Sequence, residues 1–169
     1  MDLNGCTSLS ALAETLGRHT GDIDEDSFSG LIVRSVELGV DRVAIADDFT
    51  VSVGTVGRWS TGASAPAGLI RNMAPEVLLP LVYFAMIEKC KSKQELATTL
   101  RTVASREVQD FVFAAVFRKA LELGIERIAL ARRLKVPLPT IGRWSTGESC
   151  PVPIGRPSAI ISVADIAGT

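Results

Sequence analysis

The chain has 169 residues, 47% of them hydrophobic, and a formal net charge of −1 at pH 7. That length suits one domain or two small ones with a sizeable core. No apolar run reaches the roughly 18 residues of a membrane span, and the opening MDLNGCTSLS lacks the basic-then-apolar order of a signal peptide.

In chain order, Leu9 to Leu16 reads as a short helix, and residues 28 to 38 as a second with Phe28, Leu31, Ile32 and Val36 at helical spacing. Gly39 can end it. Asp41 can cap a third, whose apolar positions are Val43, Ile45, Ala46 and Phe49. A break at 50–52 offers Ser52 as the next N-cap. Thr55, Val56 and Trp59 continue the fourth helix and Gly62 ends it. Pro66 then opens a linker, and Glu76 to Lys89 reads as a long apolar helix. No segment alternates with period two, so the expected class is all-α.

The hexapeptide GRWSTG stands at 57–62 and again at 142–147. Residues 37–66 align with 122–151 without a gap at a spacing of 85, and Phe28 pairs with Phe113. Further out, LAETL (12–16) pairs with LATTL (96–100) after a one-residue slip, and PEVLLPLV (75–82) resembles PSAIISVA (157–164) after a three-residue slip. A period this long is no solenoid unit. The reading is two copies of one small helical domain, 1–90 and 91–169, the second truncated at its end.

Short helices joined by tight turns, with this pattern, resemble the helix-turn-helix of the lambda repressor and Cro (XRE-like) family. The matching residues are Ile45, Ala46, Phe49, Val51, Val56 and Trp59 in copy one. In copy two they are Leu130, Ala131, Leu134, Val136, Ile141 and Trp144. The family's Arg-Trp, Gly and Pro follow as Arg58-Trp59, Gly62 and Pro66, and as Arg143-Trp144, Gly147 and Pro151. The resemblance implies a close helix crossing at each alanine, buried tryptophans, and a second helix whose early residues enter the major groove. Groove-facing by that correspondence are Ser52, Val53, Gly54, Gly57, Arg58 and Thr61, then Pro137, Leu138, Pro139, Gly142, Arg143 and Thr146. The turn position that is usually glycine in the family holds Thr50 and Lys135.

Charge separates the copies. Residues 8–90 hold six Lys+Arg against eleven Asp+Glu; residues 91–169 hold twelve against seven. At one aligned place stand Asp47-Asp48 and Arg132-Arg133. Because affinity for DNA draws on phosphate neutralisation, Arg127, Arg132, Arg133, Lys135 and Arg143 make copy two the expected anchor. The acidic copy would be repelled if its acids faced the duplex. Arg58 and Arg143 are open between DNA contact and a solvated or salt-bridged role. Val53 and Leu138 are open between thymine methyls and a protein partner.

No catalytic constellation stands out. The single histidine, His19, sits in an apparent loop, no Gly-rich phosphate loop appears, and Glu37 and Glu122 read as helix surface. Cys6, Cys90 and Cys150 are odd in number, far apart and without metal-ligand spacing. An enzyme, a metal site and a cofactor are therefore not expected, and a reduced, cytoplasmic protein without membrane contact is. Two functions remain. One is a DNA-binding transcriptional regulator that fuses both halves of a repressor dimer. The other is a protein-interaction module, or homo-oligomer, that kept the fold without DNA; the apolar helix at 76–89 can close the pseudo-dimer or join two chains.

Overall fold

A computed structural model describes residues 1, 3, 5–105 and 107–169. Among the described residues the chain is all-α, ten α-helices and one 3₁₀ turn with no strand. It divides into two compact units, 1–85 and 86–169, five residues before the division expected after Cys90.

In unit 1, Ser8 caps α1 (Leu9–Arg18), accepting from the Ala11 amide, and Leu9, Leu12, Ala13 and Leu16 form its buried stripe. Asp24 caps α2 (Glu25–Glu37), and Glu25 and Asp26 add negative charge at its positive end. The carboxyl of Asp24 is held below its usual range, first by the Ser27 amide and then by the Ser27 hydroxyl. Buried Ser35 satisfies its hydroxyl on the Leu31 carbonyl, one turn back. Gly39 leaves α2 at φ +99°, a conformation natural to glycine. Asp41 caps α3 (Arg42–Asp48), and Ser52 caps α4 (Val53–Ser60) through the Thr55 amide.

The fifth helix, α5 (Gly68–Lys89), starts eight residues earlier than the sequence led us to expect, so Pro66 opens no long linker. Pro75 and Pro80 both lie inside it. Each removes a backbone donor, but Ala74, Leu78, Leu81, Val82 and Tyr83 are buried along the helix and offset that loss. At 22 residues α5 also exceeds the longest apolar run read from the sequence. It has the length and hydropathy of a membrane span, with 44% of that window buried within the protein.

In unit 2, Ser92 caps α6 (Lys93–Val103), while the Glu95 carboxylate reaches back to the Lys91 amide at 2.8 Å. α7 (Asp110–Glu122) is the most deeply buried helix of this unit, with Val112 to Phe117 and Ala120 enclosed. α8 (Arg127–Leu134) and α9 (Leu138–Thr146) follow, then a 3₁₀ turn (Pro153–Gly155) and α10 (Arg156–Ala167). α10 packs chiefly on α6, and α9 on α7 and α8.

Both tryptophans are buried, as expected, each between two aromatic rings or ring-bearing helices. Trp59 meets Phe28 at 5.3 Å and Phe49 at 5.4 Å, edge to face. Trp144 meets Phe113 at 5.4 Å and Phe117 at 5.1 Å. Such pairs add about 1 kcal/mol each beyond their buried area.

The three-residue slip inferred near the chain's end is not what the packing follows. Ala74, Pro75 and Leu78 are buried and Glu76 is exposed; Ala159, Ile160 and Val163 are buried and Ile161 is exposed. That is the same pattern at an unbroken spacing of 85. Val43, expected as an apolar inner residue of α3, is 51% exposed, as is Ile128 on α8. Both lie two positions before the inward pair (Ile45-Ala46 and Leu130-Ala131), which turns them by about 200° away from it or toward one flank.

Candidate nucleic-acid interface

The turn between α3 and α4 and that between α8 and α9 share one hydrogen-bond pattern. The Val51 amide donates to the Ala46 carbonyl at 2.9 Å, and the Val136 amide to the Ala131 carbonyl at 3.1 Å. Closing that ring requires the preceding residue to be left-handed. Thr50 and Lys135 take φ +54° and +55°, the only non-glycine residues so placed among those described. The buried alanines sit at the ring's other end, where a larger side chain would hold the two helices apart.

These turns set the outward face of α4 and α9. Ser52 is exposed, but its hydroxyl is committed to the α4 cap and to Thr55. Arg58 is exposed, with its guanidinium 3.0 Å from the Thr55 hydroxyl. Thr61 is exposed and turns its hydroxyl back to the Arg58 carbonyl. In α9, Leu138 is 43% exposed, close to the 42% of Val53 at the start of α4. Arg143 is exposed with its guanidinium 3.5 Å from the Thr140 hydroxyl, and Thr146 bonds back to the Arg143 carbonyl at 3.1 Å. The threonines three residues before each arginine thus steady its side chain along the helix.

Basic residues gather unevenly around this face. Arg127, the first residue of α8, lays its guanidinium over Gly142, about 3.8 Å from where a Cβ would stand. The matching glycine of unit 1, Gly57, has nothing within 4 Å of that point. Arg132 and Lys135 are exposed. Among the described residues, none of Arg127, Arg132, Lys135 and Arg143 lies within ion-pair distance of a carboxylate. Arg133 differs: it pairs with Asp165 of α10 at 3.0 Å. Neighbouring positions on a helix point about 100° apart, and of the Arg132-Arg133 pair only Arg133 has an ion-pair partner among the described residues. In unit 1 the aligned pair is Asp47 and Asp48, both exposed. Partial burial, and then Asp47, push the Asp48 carboxyl above its usual range.

Sequence reading missed the arginines that hold this face in place. Arg156 is 7% exposed; its Nε donates to the Pro151 carbonyl at 3.0 Å and its Nη1 to the Val108 carbonyl at 2.6 Å, while Nη2 pairs with Asp110. Arg71 does the same in unit 1, to the carbonyls of Pro66 and Ile23 and to Glu25. Each ties the loop after the exposed helix to the start of the helix beneath it. Proline after GRWSTG and an arginine five residues later are the only local signal.

The remaining chemistry-bearing groups lie elsewhere. Cys90 lines an open groove of about 590 Å³ with Met86, Ser92, Glu95 and Thr99. Burial pushes its thiol pKa up, which disfavours the thiolate. Burial does the same to Cys150. His19 caps the end of α1, with a buried Nε2 that meets no hydrogen-bond partner among the described residues. Compared with protein-family models, curated proteins and solved structures, the chain matches none of them.

Proposed function

We propose that the protein is a DNA-binding transcriptional regulator built as a single-chain pair of lambda-repressor-like helix-turn-helix domains, with unit 2 as the main anchor on double-stranded DNA. The observation that carries this reading is the outward face of α8 and α9. There Arg127, Lys135 and Arg143 are exposed beside a helix of groove-entering length, and no carboxylate among the described residues lies within ion-pair distance of them. An α-helix fits the major groove, and uncompensated guanidinium and ammonium groups are what phosphates and guanine edges attract. The repeated turn geometry and the repeated arginine clamp support a duplicated domain. Two such domains in one chain supply the pair of groove-reading helices for which repressors of this kind normally dimerise.

Fluorescence anisotropy of labelled duplex at rising salt tests it. The wild-type protein binds, and its affinity falls steeply with salt. Replacing Arg127 and Arg143 together by alanine weakens binding at least tenfold and lowers the salt slope by about two. Arg58→Ala changes it little, and Arg133→Ala costs less than Arg127→Ala because Asp165 already engages it. Absence of duplex binding at low salt, across fragments of the source genome, sinks the reading.

One observation favours an interaction module instead. At the start of α5 in the acidic unit, Leu69, Ile70 and Met73 are 75%, 42% and 47% exposed. Apolar surface of that kind marks protein contact more often than DNA contact. Loss of a co-purifying protein on Leu69→Ser with Met73→Ser, in a protein that does not bind duplex, would establish that role.

A further inference from the structure

We infer that unit 2 reads a thymine methyl with Leu138, beside a base or phosphate engaged by Arg127 and Arg143. This rests on the DNA reading and names what that site selects. The first turn of α9 is Pro137-Leu138-Pro139-Thr140. Neither proline has an N–H, and the Thr140 amide is used within the turn, donating to the Pro137 carbonyl at 2.9 Å. The Thr140 hydroxyl oxygen accepts from the Arg143 guanidinium at 3.5 Å. The side chain that projects from this turn is that of Leu138, 43% exposed. In the major groove the one apolar feature on any base pair is the C5 methyl of thymine.

The surroundings choose DNA over an apolar protein surface as the occupant. Leu138 and Gly142 are four residues apart and share one face of α9. The Arg127 guanidinium lies against Gly142, at ordinary contact distance from where a Cβ would stand, so a guanidinium lies one turn from the exposed leucine. Arg143 follows on the next position. A leucine bracketed by two cations that have no carboxylate partner among the described residues is complementary to an anionic surface that carries a methyl group, which describes a thymine-bearing groove. A protein partner would instead have to bury those charges or answer them with acids of its own. Val53 holds the same place in unit 1, but Gly57 carries no guanidinium over it, so the inference is made for unit 2.

The test uses the wild-type protein and altered DNA, so it does not depend on a variant folding. A binding duplex is first selected from a random pool, and each thymine is then replaced in turn by deoxyuridine, which lacks only the methyl group. At one position in the unit 2 half-site the affinity falls about fourfold, the value of one buried methyl. Leu138→Ala weakens the thymine duplex by at least that factor and no longer distinguishes thymine from uracil there. A selected duplex that tolerates uracil at every position overturns the inference while leaving DNA binding intact. Sensitivity to uracil that persists undiminished in Leu138→Ala also overturns it, because another side chain then reads the methyl. No duplex emerging from the selection overturns the DNA reading and this inference with it. Capture of an apolar peptide by Leu138 in place of DNA would show a protein-docking site and overturn it too.

Discussion

The two units place the same buried groups under opposite surfaces. Trp59 and Trp144 each sit edge-on between two phenylalanine rings, yet the rings are not all drawn from matching positions. Unit 1 uses Phe49 where unit 2 has Leu134, and unit 2 uses Phe117 where unit 1 has Ile32. One aromatic has changed sides of the tryptophan while total volume is roughly kept, the kind of exchange a packed core tolerates best. Outside, the exchange is of charge: Asp47-Asp48 against Arg132-Arg133. The core constrains volume and lets identity drift in compensated pairs. The exposed surface is under no such packing constraint, and there the sign of the charge reverses.

The clamping arginines give the largest expected difference between the units. Arg156 is 7% exposed, and its removal strands the Pro151 and Val108 carbonyls. Arg156→Ala should cost about 3 kcal/mol by urea unfolding. Arg71→Ala should cost about 1–2 kcal/mol, because Arg71 is more exposed and Asn72 still ties the segment, accepting from the Ile23 amide at 2.8 Å. Position 157, which matches Asn72, is proline and offers no such second tie. Equal costs would mean that the clamp's burial does not govern its worth.

Next comes the exchanged ring. Ile32→Phe alone should overpack the fully buried position that matches Phe117 and cost about 1–3 kcal/mol. Phe49→Leu alone should lose about 1 kcal/mol of edge-to-face contact. Together they copy unit 2, and the double variant should lose at least 0.5 kcal/mol less than the sum. Strict additivity in thermal unfolding would show that the two rings do not compete for one space.

What was legible in the sequence was what local periodicity and capping chemistry encode. Asp41, Ser52 and Gly39 mark their helix ends, and the alanine–turn–tryptophan spacing places the core. Three things were not legible, each because a contact far along the chain decides it. The sequence reads α5 from Glu76, just after Pro75, but burial of Ala74 and Leu78 carries the helix through that proline. Arg156 acts on carbonyls 5 and 48 residues away, a pattern without periodicity. Arg133 looks equivalent to Arg132 until Asp165, 32 residues on, engages it. At the candidate interface the exposed leucine and the basic residues were readable. The crossing of Arg127 over Gly142 was not, since it depends on how α8 and α9 pack.

The two turns differ by one methyl-bearing branch, which gives a smaller effect. Both Thr50 and Lys135 are left-handed, but threonine is β-branched and crowds its own backbone there more than lysine does. Thr50→Gly should therefore stabilise by about 1 kcal/mol and Lys135→Gly by about half that, net of the added freedom of the unfolded chain. Thermal unfolding of the two variants orders them. A larger gain at Lys135 would mean that its side chain, not its backbone, is the strained part.

The smallest expected effect concerns the exchanged charges themselves and depends on pH. The carboxyl of Asp48 is raised above its ordinary 3.8 by partial burial and then by Asp47. At pH below that value it is protonated in both folded and unfolded chain and contributes nothing. As pH rises past 3.8 the unfolded chain releases its proton first, so folding loses stability until the folded-state pKa is passed, and the loss then persists to neutral pH. Asp24 runs the other way: its carboxyl is lowered by the Ser27 amide, and the stability it contributes is lost as pH falls through its folded-state value. Asp48→Asn should thus stabilise at pH 7 and not at pH 3, while Asp24→Ala should destabilise at pH 7 and less at pH 3. At the place of Asp48, unit 2 has Arg133 neutralised by Asp165, so an acid there is not demanded by the fold. Asp48 is thus a carboxylate whose charge costs folding stability, where the matching Arg133 is paired. An Asp48→Asn stability gain that is the same at pH 3 and pH 7 would remove that argument, because the benefit would then be one of shape.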